Sequence, residues 1–326
     1  MKLTKYQNSS TSIFSFAIKW KYWVLGFICI FPLGTMLSIF SVYSLYEAML
    51  KRSNRLPNIR SINKEFRLNL ISDFIDKKFN PIDRYTIILG DSQFYGFGVT
   101  EKQTFPSLLS ENFPDKKIIN MSIVEGRSTD AILILKLLLD KNIKLEKIIY
   151  SVNLSHYQNG TTEGFGRLPK DYSDKNILRH TFKLLNTYWV DFLVHEIVDW
   201  EKSHRFVANA RRAPTLSSKP RRNIKYLNGL LELIKINSES HLFVLPPYSE
   251  KALALAGIKR DAFSREALYF ENFVKNKGGN FMNLTFELDS HEYFIDVIHF
   301  SPKGHQKVAD FLISFLATTS LKNVKD

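Results

Sequence analysis

One cysteine, Cys29, stands in 326 residues, and it lies inside an apolar run. A single thiol excludes an internal disulfide framework and any cysteine-rich metal site, and it leaves the redox compartment open. Acidic residues are the second shortage: 32 Asp and Glu face 45 Lys and Arg, a formal charge of +13. Such an imbalance calls for an acidic partner, whether nucleic acid, anionic lipid or anionic polymer, and composition does not choose among them. Internal repeats and low-complexity tracts are also missing. What is present is a hydrophobic content of 44 %, ample for the core of one large or two small domains.

Charge disappears altogether over residues 23–46, which are rich in Phe, Ile, Leu and Val. Lys19 and Lys21 precede this run, and Lys51 and Arg52 follow it. At about 1.5 Å per residue it spans a hydrocarbon core of about 30 Å, with Trp23, Tyr43 and Tyr46 at the interfaces, so a single transmembrane anchor is expected. A cleaved signal peptide and a buried helix are the rival readings. The run is longer than a signal h-region and no small-x-small cleavage site follows it, while Pro32 and Gly34 are tolerated in a membrane helix but break a soluble one. Orientation is undetermined by charge, because Lys2, Lys5, Lys19 and Lys21 before the span are matched by Lys51, Arg52, Arg55, Arg60 and Lys64 after it. The expected organisation is a polar segment 1–22, the anchor 23–46, a connector 47–83 with a short amphipathic helix at 66–79, and a domain 84–320.

Within that domain short apolar runs alternate with longer helical patterns. Strands are expected at 85–89, 117–120, 147–152, 241–245 and 280–283, and helices at 105–112, 128–141, 226–236, 261–276 and 302–319. This alternation predicts a three-layer α/β/α fold around a mainly parallel five-stranded sheet. Residues 154–222 interrupt it and are far longer than an ordinary connection, so they read as an insertion. Its apolar stretch 189–200 carries charges at helical spacing, and residues 202–225 hold eight Lys or Arg with no Asp or Glu. A covering helix and a solvated basic loop is one reading. The other is a lid whose Arg211, Arg212, Arg221 and Arg222 attract anionic lipid or polymer.

Two stretches carry chemistry. Tyr85-Thr-Ile-Ile-Leu-Gly90-Asp91-Ser92 is a strand pattern that stops at a small hydroxyl, where open α/β sheets bind ligands. Asp296-Val-Ile-His299-Phe-Ser-Pro302-Lys-Gly304 supplies a carboxylate and an imidazole three residues apart. Ser92 is the candidate nucleophile, or else a helix cap. His299 is the candidate base, suited by a pKa near working pH, with Asp296 orienting the ring or else capping the next helix. The other histidines, His156, His180, His195, His204, His241, His291 and His305, show no paired spacing of a metal site, and no metal or cofactor is expected.

Together the two stretches resemble the SGNH (GDSL-type) hydrolase superfamily, in which Gly-Asp-Ser follows the first strand and Asp-x-x-His precedes the last helix. The resemblance covers residues 84–316 and implies a flavodoxin-like α/β fold with a Ser92-His299-Asp296 triad. It also implies an oxyanion hole made by the Ser92 N–H, a glycine N–H after the second strand and an asparagine after the third. Here the second block reads Ile119-Asn120-Met121-Ser122-Ile123-Val124-Glu125-Gly126, which puts Ser122 at the glycine position. The third reads Ser151-Val152-Asn153-Leu154, keeping Asn153. A turn-making Asn153 and a Ser122 packed beneath the sheet are the plain alternatives.

With an amino-terminal anchor and a basic insertion, the chain is similar in architecture to the envelope-modifying branch of that superfamily, which includes the DltD proteins. The implied activity is a membrane-anchored serine esterase or O-acyltransferase facing outward and acting on an acylated envelope polysaccharide or glycolipid, with a multi-pass membrane acyltransferase as partner for transfer and no specific nucleic acid. A degenerate carbohydrate-binding domain and an anchored scaffold docking to anionic lipid or polymer are the alternatives.

Overall fold

Five short runs rich in Ile, Leu, Val and Phe form one sheet in a computed structural model of the chain, which describes residues 52–56, 64–158, 223–255, 257–296 and 298–318. The strands are β1 (Arg84–Leu89), β2 (Lys117–Asn120), β3 (Lys144–Ser151), β4 (Ser238–Leu245) and β5 (Phe281–Asn283). Every pairing is parallel and the order is β2-β1-β3-β4-β5. The chain therefore leaves β1 in one direction and returns to its other side at β3. That reversal opens a crevice beyond the carboxyl ends of β1 and β3, the place where such sheets bind ligands.

The helices are α1 (Lys64–Lys78), α2 (Ser92–Tyr95), α3 (Phe105–Asn112), α4 (Ser128–Asp140), α5 (Ser155–Gln158), α6 (Ile224–Asn237), α7 (Glu250–Leu255), α8 (Arg260–Asn276) and α9 (Pro302–Thr318). Parallel strands covered on both faces read as continuous apolar runs, and the two-residue period divides them. Ile88, Ile118, Ile149, Leu242 and Val244 share a core with Phe105 and Leu109 of α3 and with Val308, Leu312 and Leu316 of α9. The alternate residues, including Ile87, Ile148, Tyr150 and Phe243, are buried on the opposite face. There α4 packs against α6, and α1 against α4. Each fully buried aliphatic or aromatic side chain contributes about 1.5–3 kcal/mol.

Two strands begin earlier than expected. β3 starts at Lys144 rather than 147, and β4 at Ser238 rather than 241. Lys144, Glu146, Ser238 and Glu239 hide these starts from a search for apolar runs. The ladder nonetheless extends through them, with Leu145 opposite Ser238 and Lys147 opposite Ser240.

Part of the stretch expected as a connector is also built into the domain. Leu70, Ile71, Phe74 and Ile75 of α1 are buried. Residues 54–56 lie along β2, where the Asn120 N–H donates to the Asn54 carbonyl and the Leu56 N–H to the Asn120 carbonyl, both at 2.8 Å. Among the described residues no helix is long and apolar enough to cross a membrane. The expected anchor 23–46, and the insertion beyond Gln158 with Arg211, Arg212, Arg221 and Arg222, lie outside the described residues.

Candidate active site

β1 ends at Leu89 and the chain turns through Gly90 into the single turn α2. A side chain on Gly90 would sit 2.6 Å from Ser151 Cβ, so the close approach of β1 and β3 requires glycine here. Asp91 caps the turn, its Oδ1 accepting the Gln93 N–H at 3.0 Å. The cap is thus the aspartate, and Ser92 is left as the first helical residue with a partly exposed side chain. Among the described residues no acceptor takes the Ser92 N–H, as expected of the first donor of a helix.

The histidine arrives from a second tight turn. The Ile295 N–H donates to the His299 carbonyl at 2.9 Å, and Asp296 Oδ1 accepts the N–H groups of Ile298 and His299 at 3.0 and 2.8 Å. Asp296 therefore caps its own turn rather than the following helix. That helix, α9, has Ser301 at its start, whose Oγ accepts the Gly304 N–H at 3.2 Å. Pro302 fits the first helical position, where no N–H is needed. A side chain on Gly304 would fall 2.0 Å from the Tyr293 carbonyl oxygen, so this glycine lets α9 pack against the strap that carries the histidine turn.

These two turns bring three predicted residues into one line. His299 Nε2 lies 2.8 Å from Ser92 Oγ, and His299 Nδ1 lies 2.8 Å from Asp296 Oδ2. Asp296 and His299 are both buried. Burial alone pushes the Asp296 carboxyl up. Hydrogen bonding to the His299 ring, the charge of that ring and the two backbone N–H groups outweigh it and hold the carboxyl well below the usual carboxylate range. With Asp296 ionised, Nδ1 must carry a proton toward it. Nε2 is then free to accept from the serine hydroxyl. Phe97 covers the imidazole, with ring centroids 4.9 Å apart.

The oxyanion residues divide. Asn153 follows β3 and is buried, and its Nδ2 donates to Asp91 Oδ2 beside Ser92. Ser122 does not fit the assigned place. Its N–H donates to Asn120 Oδ1 at 3.1 Å and the residue is wholly buried, because the Asn120 side chain folds back over the end of β2. The loop then crosses Gly90, with the Ile123 N–H on the Gly90 carbonyl at 3.0 Å, and closes with the Gly126 N–H on the Ile123 carbonyl at 2.6 Å. The positive φ of this turn, 63°, falls on Glu125, three residues beyond the expected position.

Several contributors carry no motif of their own. Gln93 reaches the Ile298 carbonyl of the histidine turn, and Asn120 donates to the Phe94 carbonyl of α2 at 2.9 Å. Asp91 was legible only as part of Gly-Asp-Ser. The stem of the insertion closes beside Asn153, where Asn223 Nδ2 donates to the His156 carbonyl at 3.1 Å.

No family model matches the chain, and no curated protein matches it. Solved structures do. A putative lipolytic protein of the G-D-S-L family from Desulfitobacterium hafniense is 9 % identical, with a TM-score of 0.41 over 71 % of this chain and 99 % of its own. A lipolytic G-D-S-L protein from Veillonella parvula is 10 % identical, with a TM-score of 0.43 over 71 % and 97 %. A carbohydrate acetylesterase from Sinorhizobium meliloti is 13 % identical, with a TM-score of 0.39 over 73 % and 100 %.

Proposed function

We propose that this chain is a membrane-anchored serine esterase or O-acyltransferase acting on acyl esters of cell-envelope glycans or glycolipids. One observation carries the chemistry: Ser92 Oγ, the His299 ring and Asp296 stand in hydrogen-bonded series at 2.8 and 2.8 Å. Ser92 Oγ attacks the ester carbonyl carbon as its proton passes to His299 Nε2, forming a tetrahedral oxyanion. The C–O bond to the leaving alcohol then breaks, Nε2 returns the proton to that alcohol, and an acyl group remains on Ser92. Water or a sugar hydroxyl repeats the sequence in reverse and removes it. Asp296 stays ionised throughout and stabilises the imidazolium.

The oxyanion is met by the Ser92 N–H and by Asn153, each such donor being worth about 2.7–4 kcal/mol in the transition state. Ser122 is not part of this hole. The apolar run 23–46 supports the anchor, and the basic run 202–225 supports an anionic envelope polymer or lipid near the site. Transfer, as opposed to hydrolysis, calls for a membrane partner that delivers acyl groups. The test is turnover of p-nitrophenyl acetate by the full-length chain and by Ser92→Ala, with and without an oligosaccharide acceptor. Turnover by wild type alone supports the enzyme, and acyl product on the oligosaccharide identifies transfer. Equal background rates from both folded proteins would remove the catalytic reading.

A further inference from the structure

Gln93 follows the nucleophile and is 1 % exposed, yet proton transfer from Ser92 to His299 does not use it. Its Nε2 donates to the Ile298 carbonyl at 2.7 Å and to the Pro247 carbonyl at 3.3 Å. Two facing carbonyls fix which way the amide points, since exchanging its O and N would set three oxygens against one another. Oε1 is buried without a hydrogen-bond partner among the described residues. Burying an unsatisfied acceptor is costly, so what this side chain contributes comes from the groups its NH2 holds.

What it holds is the peptide unit that carries His299. The carbonyl end of that unit accepts from Gln93, and its N–H end donates to Asp296 Oδ1 at 2.8 Å. A planar peptide gripped at both ends cannot rotate freely, and its plane sets the direction in which the imidazole leaves the backbone. The other end of the brace is equally fixed, because the Gln93 N–H is held by Asp91 Oδ1. We infer that Gln93 is a positioning residue that locks the histidine turn to the nucleophile turn and sets the reach from His299 Nε2 to Ser92 Oγ. The contact joins segments 205 residues apart and adds the loop after β4 through Pro247.

This inference rests on the esterase reading, and the experiment separates the two. In full-length protein, Gln93→Met keeps the length of the side chain and loses both hydrogen bonds. A displacement of about 1 Å at a reacting pair costs about 10²-fold in rate, so kcat for p-nitrophenyl acetate falls by that order while KM stays within about twofold. Gln93→Glu sets a carboxylate against two carbonyls, and only its protonated form donates. Burial and the carbonyl dipoles raise its pKa, so the ratio of variant to wild-type kcat climbs as pH is lowered from about 8 to about 5. A Gln93→Met enzyme with wild-type kcat, or a Gln93→Glu ratio flat with pH, overturns the inference. If Gln93→Met does not fold, the Gln93→Glu profile decides. Failure of the parent reading looks different: wild type itself turns over no faster than Ser92→Ala.

Discussion

The guanidinium of Arg55 lies 4.6 Å above the ring of Tyr95 and donates to the Tyr95 carbonyl at 3.4 Å. Arg55 is 7 % exposed and belongs to the strap that runs along β2, while Tyr95 ends the turn that begins with Ser92. The strap is held in turn by Glu101, which accepts from Ser53 Oγ and from the Asn54 N–H at 2.7 Å each. The chain just beyond the expected anchor is thereby fastened behind the nucleophile.

Arg55→Ala is expected to lower unfolding stability by about 1–3 kcal/mol, combining a lost cation–π contact, a lost hydrogen bond and lost packing of the side-chain stem. Denaturant unfolding of the full-length chain measures it. A change below about 0.5 kcal/mol would mean that the strap is an ornament to the domain.

Removing the orienting carboxylate is expected to cost the most per atom changed. Asp296→Asn keeps the shape of the side chain but presents the wrong partner to Nδ1–H, so kcat is expected to fall by about 10⁴-fold with the fold intact. Steady-state kinetics and a melting curve on the same preparation check it. A loss of less than about tenfold would show that the His299 tautomer is set by something other than Asp296.

Asn153→Ala is expected to lower kcat by about 10²–10³-fold with little change in KM, as for loss of one oxyanion donor. Ser122→Ala removes only a buried hydroxyl that has no partner among the described residues, and the backbone N–H of Ser122 remains on Asn120. It should leave kcat nearly unchanged. Were the two effects reversed, the assignment of donors would have to be exchanged.

The histidine in the first turns of α9 predicts an acid-sensitive fold. His305 is wholly buried, and burial first, with the charges of Arg55 and the His299 ring adding to it, pulls its pKa down to about 3. The unfolded chain binds this proton near the ordinary value of about 6.5, so between those two values the unfolded state holds more protons. Stability contributed by the neutral ring is complete above about 6.5 and is lost as pH falls toward about 3, with a slope of up to about 1.4 kcal/mol per pH unit for one group. Denaturant midpoints from about pH 7 to pH 4.5 should therefore fall less steeply in His305→Gln than in wild type. Parallel slopes in the two proteins would assign the acid sensitivity elsewhere.

Much of this arrangement was legible because it is local. A strand that ends at Gly90-Asp91-Ser92, and a turn in which Asp296 caps Ile298 and His299, are each specified within a few residues. The Ser301-Pro302-Lys303-Gly304 helix start is equally local, since one residue caps, one lacks an N–H and one leaves room for a neighbouring carbonyl. The Ser122 N–H is taken by the Asn120 side chain, a contest that spacing alone does not reveal. The starts of β3 and β4 were missed because Lys144, Glu146 and Ser238 to Ser240 are strand residues by virtue of their neighbours' ladders rather than their own hydrophobicity. Gln93 and Arg55 act on residues far away in the chain or across the sheet, and nothing in their local sequence marks them.

The most direct test of the central claim is to treat the full-length chain with a fluorophosphonate, digest it and locate the adduct by peptide mass mapping. The geometry of Ser92, His299 and Asp296 predicts a single adduct on Ser92 that disappears in Ser92→Ala and is strongly slowed in a His299→Ala variant. A folded wild-type protein that carries no adduct, or carries it on another serine, would contradict the account.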